Sequence, residues 1–361
     1  MDFSIDESIE ELIAQVDKFS SKTLRHKARL FESNRSWDQN TLNTFTSLGI
    51  SELNLPFHEN GPSELLAYFI ALEHLAKGDA GGLLYADTPG PYSWAISALL
   101  EHLPKNFFGD LSKSRFAAIY IKDIKDSSNK VLAWAPGSVD EWNGSLGSAS
   151  TLIVFGNEYI SYLDSHHLKF QQSALDALDA SNGVEISWNS LLDSQTFKID
   201  AISSYFIRTM MRQWVTAVML GVSQASIDYA IDYGNERVVF NNTVTGHQAN
   251  AFEIAKVYTE IEASRLAYRA AVSMIKNHSN SLDNYDLSQM INQNYIVAGE
   301  VSLSATDLSL QLLGGHGYLK DHFVEKWWRE VRTLSILFGG LEQAHEDAGN
   351  EALNYHDFLV F

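Results

Sequence analysis

Gln311-Leu312-Leu313-Gly314-Gly315-His316-Gly317-Tyr318 is the stretch on which the reading of this chain turns. A helical pattern from Leu287 to Leu313 leads into it. A second pattern follows, Val324-Glu325-Lys326-Trp327-Trp328-Arg329-Glu330-Val331-Arg332. Three glycines within positions 314–317 leave the turn uncovered, so another backbone or a ligand can come close. A helix-ending turn with a core Tyr is the plainer reading of the same stretch.

Upstream, Asn235-Glu236-Arg237-Val238-Val239-Phe240-Asn241 precedes Gln248 and another long helical pattern. A guanidinium is planar, always charged and matches phosphate oxygens in pairs, so Arg237 is a candidate phosphate ligand. The two blocks together resemble the C-terminal part of the acyl-CoA dehydrogenase family of flavoproteins. The family's upstream motif reads Arg-x-x-Phe-Gly, then a Gln. Arg237, Phe240 and Gln248 fit it, and Asn241 stands where the family has Gly. The resemblance implies that Gln311, Gly314, Gly315 and Gly317 receive the adenosine end of FAD. That FAD would be bound mainly by a neighbouring subunit, with Arg237 meeting its pyrophosphate across the interface.

The chain has 361 residues, 45% of them hydrophobic and 20% charged, enough for a large core and two or three packing units. The formal net charge of −19 repels phosphate backbones and anionic membrane surfaces, which argues against nucleic acid or membrane partners. A CoA ester is anionic too, so any site for it must be locally basic. No apolar run reaches the roughly 20 residues of a membrane span. The start Met1-Asp2-Phe3-Ser4-Ile5-Asp6-Glu7 lacks the basic end and apolar core of a signal peptide, and the expected location is the cytoplasm. The absence of cysteine excludes disulfides and thiol catalysis.

Ser4 and Glu7 form a capping-box pattern, and Ile9, Leu12, Ile13, Val16 and Phe19 recur at helical spacing behind it. Helical patterns over 64–76 and 93–102 complete an N-terminal helical domain, residues 1–114. Short apolar runs separated by Gly, Asn, Asp and Ser mark a small, shortened middle β domain, 115–198. Long helical patterns over 205–237, 248–277, 287–313 and 341–358 predict a C-terminal four-helix bundle, 199–361. In the second of these Phe252, Ala255, Tyr258, Ile261, Leu266, Ala270 and Ile275 define the expected apolar face. The fold class is mostly α with a small β domain, in the order the resemblance implies.

Two family features are missing. After its first strand the family carries Thr-Glu-Pro and Gly-Ser-Asp, and later Trp-x-Thr or Trp-x-Ser, around the flavin ring. Here Phe116 to Ile121 runs into Lys122-Asp123-Ile124-Lys125-Asp126-Ser127-Ser128-Asn129. Trp134-Ala135-Pro136-Gly137-Ser138 is at most a remnant of the later motif. The adenosine diphosphate half of FAD is therefore better supported than the ring. The family's reaction also needs a carboxylate over the α carbon of the thioester. The two positions that supply it in family members fall here on Gly339 and on Met211, next to Arg212, a possible lining residue. Glu342, one turn beyond Gly339, is the nearest substitute.

Other chemistries find little support. Glu342-Gln343-Ala344-His345 is a single Glu-x-x-His, whereas a di-iron bundle needs two, and no metal site is expected. Gly315-x-Gly317 does not extend to a dinucleotide fingerprint. His166-His167 is expected to be exposed, and Trp327-Trp328 to be core. The expected protein is a divergent or catalytically impaired acyl-CoA dehydrogenase-like flavoprotein, a partner subunit of a heteromeric dehydrogenase. The alternative is an active FAD-dependent oxidoreductase on an acyl thioester with a relocated base. Either reading expects a homo-oligomer or a hetero-oligomer with a related subunit.

Overall fold

The computed structural model of the chain describes residues 7–54, 62–104, 106–109, 111, 114–122, 131–144, 150–173, 177–189, 191, 195–275 and 285–357. The capping Ser4, the segment 123–129 and Phe358 lie outside these residues.

Six helices open the fold: α1 (Glu7–Phe19), α2 (Arg25–Asn34), α3 (Gln39–Ser47), α4 (Pro62–Ala76), α5 (Ala80–Ala86) and α6 (Ser93–Leu100). Asp side chains start two of them. Asp38 accepts from Thr41 N at 2.9 Å and Asp79 from Gly82 N at 3.1 Å, each satisfying a first-turn amide that has no helical partner. α4 is buried on almost every side, and its Tyr68, Leu72 and Leu75 sit in the main core.

The strands make two facing sheets. β1 (Arg115–Tyr120), β3 (Ser150–Phe155), β4 (Tyr159–Asp164) and β7 (Thr196–Lys198) form one, in the order β1-β3-β4-β7. β2 (Val131–Ala135), β6 (Val184–Trp188) and β5 (Lys169–Gln172) form the other, in the order β2-β6-β5, while the short helix α7 (Val139–Trp142) links β2 to β3. β1 and β3 run parallel, with Phe116 opposite Thr151, and every other pairing is antiparallel. The strand period of two divides β1 between two cores. Ala117 and Ile119 turn toward the second sheet, and Phe116, Ala118 and Tyr120 toward α6 and the helix that follows β7.

That helix, α8 (Ala201–Glu236), spans about 54 Å at 1.5 Å per residue and is the axis of the molecule. It packs on α4, on α9 (Gln248–Met274), on α10 (Tyr285–Leu313) and on α11 (Val324–Leu334), and α12 (Gly340–Asp357) closes the chain against α10. Polar residues survive inside α8 because they bond locally. Thr216 Oγ1 donates to Arg212 O at 3.0 Å and Ser223 Oγ to Met219 O at 2.7 Å. Gly221 is required by packing: a Cβ there would lie 2.0 Å from Glu73 O on α4. Beside that contact the buried Glu73 carboxylate receives Arg265 Nε at 2.5 Å, Tyr268 Oη at 2.6 Å and Arg269 Nη2 at 3.1 Å.

The apolar face expected for α9 needs correction. Its inward side is Val257, Ile261, Ser264, Tyr268, Ala271 and Val272. Phe252, Tyr258 and Leu266 are 64%, 40% and 49% exposed. At 100° per residue Phe252 and Leu266 fall on the opposite side of the helix from Val257 and Tyr268, and Tyr258 falls on the flank between. α9 is apolar on two faces, and spacing does not say which one the same chain covers. Trp327 is core as expected, whereas Trp328 is half-buried and donates to Asp307 Oδ1 at 2.6 Å. Among the described residues no helix is long and apolar enough to cross a membrane, and no group of three or more His, Asp or Glu is placed to hold a metal ion.

Candidate functional site: an open cleft and an aromatic cavity

α8 ends at Glu236, and Arg237 leaves it in extended conformation to start β8 (Val238–Val239). The hairpin to β9 (Asn242–Thr243) turns on Phe240 and Asn241, with φ of +50° and +63°. A two-residue turn with both central φ positive suits Gly best and Asn next, because Asn tolerates the left-handed region. Asn241 therefore holds a left-handed backbone that Gly adopts most easily.

This hairpin, the C-terminus of α10 and the glycine loop enclose an open cleft of about 680 Å³. Arg237, Phe240, Gln311, Gly314 and Gly315 all line it. Gln248 is exposed and not part of the lining, and Gly317 is buried beneath the loop, where a Cβ would come 2.8 Å from Leu310 O. At Gly314 and Gly315 a Cβ would meet nothing within 4 Å, so this wall faces open space. The loop rests on rings: Tyr233 Oη bonds His316 Nδ1 at 2.7 Å, and His316 stacks on His322 at 5.6 Å. Arg237 is exposed and has no ion pair among the described residues. A phosphate group and a flat heterocycle suit this combination of free guanidinium, side-chain amide and bare glycine backbone.

A second, more enclosed cavity of about 420 Å³ lies between the sheets and the bundle. Tyr120 on β1, Trp134 on β2 and Phe155 on β3 supply aromatic walls, and Arg208 and Met211 face it from α8. The turn from α11 to α12 closes it with Leu337, Phe338 and Gly339, followed by Gln343. Phe338, Gly339 and Gly340 have φ of +55°, +88° and +66°, so the chain reverses through left-handed backbone. Met211 and Gly339, distant in sequence, thus border the same space. No carboxylate is among the described residues that line it. Glu342 is exposed and points elsewhere: α12 starts at Gly340, and one residue's rotation turns Gln343 inward and Glu342 out.

Arg208 and Arg212, one turn apart on α8, were only half visible in the sequence: Arg212 is singled out by its neighbour Met211, and Arg208 is not. Two arginines at helical spacing inside an apolar run were the available signal. Both pair with Asp347 on α12, Arg208 Nη1 at 3.1 Å and Arg212 Nη1 at 2.7 Å from Oδ2. Arg212 also donates to Asn292 Oδ1 at 2.7 Å. Arg208 lies over the Tyr120 ring at 4.1 Å, a cation–π contact. Trp134 Nε1 is buried without a hydrogen-bond partner, held against Gly183, where a Cβ would come 2.3 Å from that nitrogen. Burial raises the Tyr92 hydroxyl at the cavity's edge far above its ordinary value, so it stays protonated.

Residues 207–352 match the acyl-CoA dehydrogenase C-terminal domain. The C-terminal part of the chain is thus that of an acyl-CoA dehydrogenase. It is 31% identical over 128 residues to the CarC subunit of the caffeyl-CoA reductase–Etf complex of Acetobacterium woodii, covering 36% of this chain and 32% of that protein. It is 32% identical over 129 residues to a 3-(aryl)acrylate reductase of Clostridium sporogenes, again 36% of this chain and 32% of that one. The aligned part thus spans about a third of the length of these curated relatives. A short-chain specific acyl-CoA dehydrogenase of Megasphaera elsdenii aligns over 94% of this chain and 96% of its own, at 23% identity. The solved butyryl-CoA dehydrogenase of Megasphaera elsdenii superposes with a TM-score of 0.74 at 18% identity, covering 98% and 100% of the two chains. The whole chain shares the mostly helical fold with a small sheet region of that solved dehydrogenase.

Proposed function

We propose that this chain is a divergent acyl-CoA dehydrogenase-type flavoprotein subunit that does not itself dehydrogenate acyl thioesters, and that it lends its open cleft to the adenosine side of an FAD held with a related or identical subunit. One observation carries the reading: the cavity bordered by both Met211 and Gly339 has no carboxylate among the described residues lining it. The family reaction removes a proton α to the thioester, and a missing positioned base typically lowers such a rate about 10²–10⁴-fold.

The residues fit the nucleotide half of FAD. Arg237 would hold a phosphate, Gln311 the adenosine, and Gly314 and Gly315 give backbone access. The ring of that FAD does not reach the second cavity, whose Arg208 lies 29 residues, about 44 Å, along α8 from Arg237. FAD supplies hydride acceptance when bound. The chain's part is to position it by the adenosine diphosphate end, through Arg237, Gln311 and the backbone of Gly314 and Gly315. We infer that most of the affinity resides in the nucleotide half.

The test is expression of the chain alone and with its genomic neighbours, followed by a visible spectrum and an acyl-CoA assay with an electron acceptor. Flavin appearing only in a co-purified complex, without turnover by the isolated chain, is the expected result. Flavin in the isolated chain with rapid oxidation of a saturated acyl-CoA overturns the proposal and establishes the alternative, an active oxidoreductase with its base elsewhere.

A further inference from the structure

The Arg208–Arg212 pair is built with more positive charge than its surroundings answer. The two side chains are 9% and 0% exposed, and they share one carboxylate, Asp347. Three of their nitrogens, Arg208 Nε, Arg212 Nε and Arg212 Nη2, are buried without a hydrogen-bond partner. Buried donors are almost always satisfied, and those of a charged group most of all. Glu351, one turn beyond Asp347, is the other acid close to both arginines. Its burial raises its pKa, which weakens it as a counter-charge.

These arginines stand at the cavity. Arg208 lines it directly, with its guanidinium laid over Tyr120. Arg212 Nη2 lies 3.5 Å from the point where Gly339 would carry a Cβ, so the missing side chain leaves the guanidinium close behind the cavity wall. The remaining lining is largely apolar and aromatic, with Gln343 and Thr333 as further polar groups. A guanidinium presents paired N–H groups that match the two oxygens of a carboxylate.

We propose that this cavity binds a small free carboxylic acid as its anion, the carboxylate taken by Arg208 with Arg212 behind it and an apolar or aromatic body against Tyr120, Trp134 and Phe155. The anion would balance the positive charge that Asp347 alone leaves unanswered. The inference goes beyond the proposed function, because it concerns binding and holds whether or not thioesters are oxidised.

The probe is 3-phenylpropionate, with its neutral amide 3-phenylpropionamide as the control of equal shape. Each is titrated calorimetrically into the purified full chain at low ionic strength. The acid is expected to bind at least tenfold more tightly than the amide. Arg208→Met should remove that preference, and Arg208→Lys should keep part of it, because the charge stays while the paired geometry is lost. Equal affinity for acid and amide, or no saturable heat with the acid up to millimolar concentration, overturns the proposal. If Arg208→Met fails to fold, the acid–amide comparison on the natural chain and on Arg208→Lys still decides. Thioester turnover, measured separately, reports on the proposed function and not on this inference.

Discussion

Arg212 Nη2 and Gly339 are neighbours: the guanidinium nitrogen sits 3.5 Å from the position of the absent glycine Cβ, and the backbone there has φ of +88°. The position to which the resemblance assigns a catalytic carboxylate is here a left-handed glycine backed by a buried arginine. Placing Glu at 339 is therefore not expected to restore dehydrogenation. The left-handed backbone strains any side chain, and an adjacent guanidinium lowers the basicity of a carboxylate. Gly339→Glu should melt at lower temperature than the natural chain, with acyl-CoA turnover within threefold of it. A gain above tenfold in a steady-state assay would contradict this.

Arg237 is expected to carry much of the affinity for nucleotides. A charge-assisted contact to phosphate contributes about 1.5–3 kcal/mol, so Arg237→Ala should weaken ADP and FAD binding roughly 10- to 150-fold. Calorimetric titration of both ligands checks it. Nanomolar FAD affinity far above that for ADP would place the grip on the flavin ring instead.

The outer apolar face of α9 should be covered in solution. Phe252, Leu266 and, on α10, Val297 are 64%, 49% and 51% exposed, and the hairpin tip Phe240 is 92% exposed. Apolar surface of this extent on one bundle marks an interaction face. Sedimentation at micromolar concentration should show at least a dimer, and the pair Phe252→Glu with Leu266→Glu should shift it toward monomer. A stable monomer of the natural chain, with and without FAD, contradicts the expectation.

Glu73 should make stability depend on acid. Burial alone raises its pKa, but Arg265, Arg269 and the Tyr268 hydroxyl more than offset this and hold it below the ordinary 4.5. A carboxylate depressed by folding stabilises above its unfolded pKa, and that contribution is lost as pH falls through the lower folded value. Between neutral pH and about 4.5 the contribution is complete, and it declines below. Glu73→Gln leaves the half-buried Arg265 and Arg269 without this carboxylate, Arg265 keeping Glu262, and should cost about 3 kcal/mol at pH 7, the low end for breaking a buried pair. It should also flatten the loss of stability that the natural chain is expected to show below pH 4.5 in urea titrations. An unchanged slope would mean that Glu73 is not the group responsible.

Local spacing and local chemistry determined a good deal. The long helices, the strand runs and the glycine loop are legible because helix and strand periods, Gly and Asn punctuation and the Arg-x-x-Phe and Gln-x-x-Gly-Gly-x-Gly-Tyr patterns depend only on neighbours along the chain. The same patterns carried the family. Tertiary structure alone decided four things. It joined Arg237 to Gln311, Gly314 and Gly315 in one cleft and left Gln248 and Gly317 out of it. It brought Met211 and Gly339 to a single cavity and turned Glu342 away from it. It brought Asp347 to Arg208 and Arg212, and it chose which of two apolar faces of α9 to bury. Each of these depends on how separate elements pack. Helical spacing gives the direction of a side chain around its own axis, and only the neighbour that packs there says whether it meets a core, a cavity or solvent.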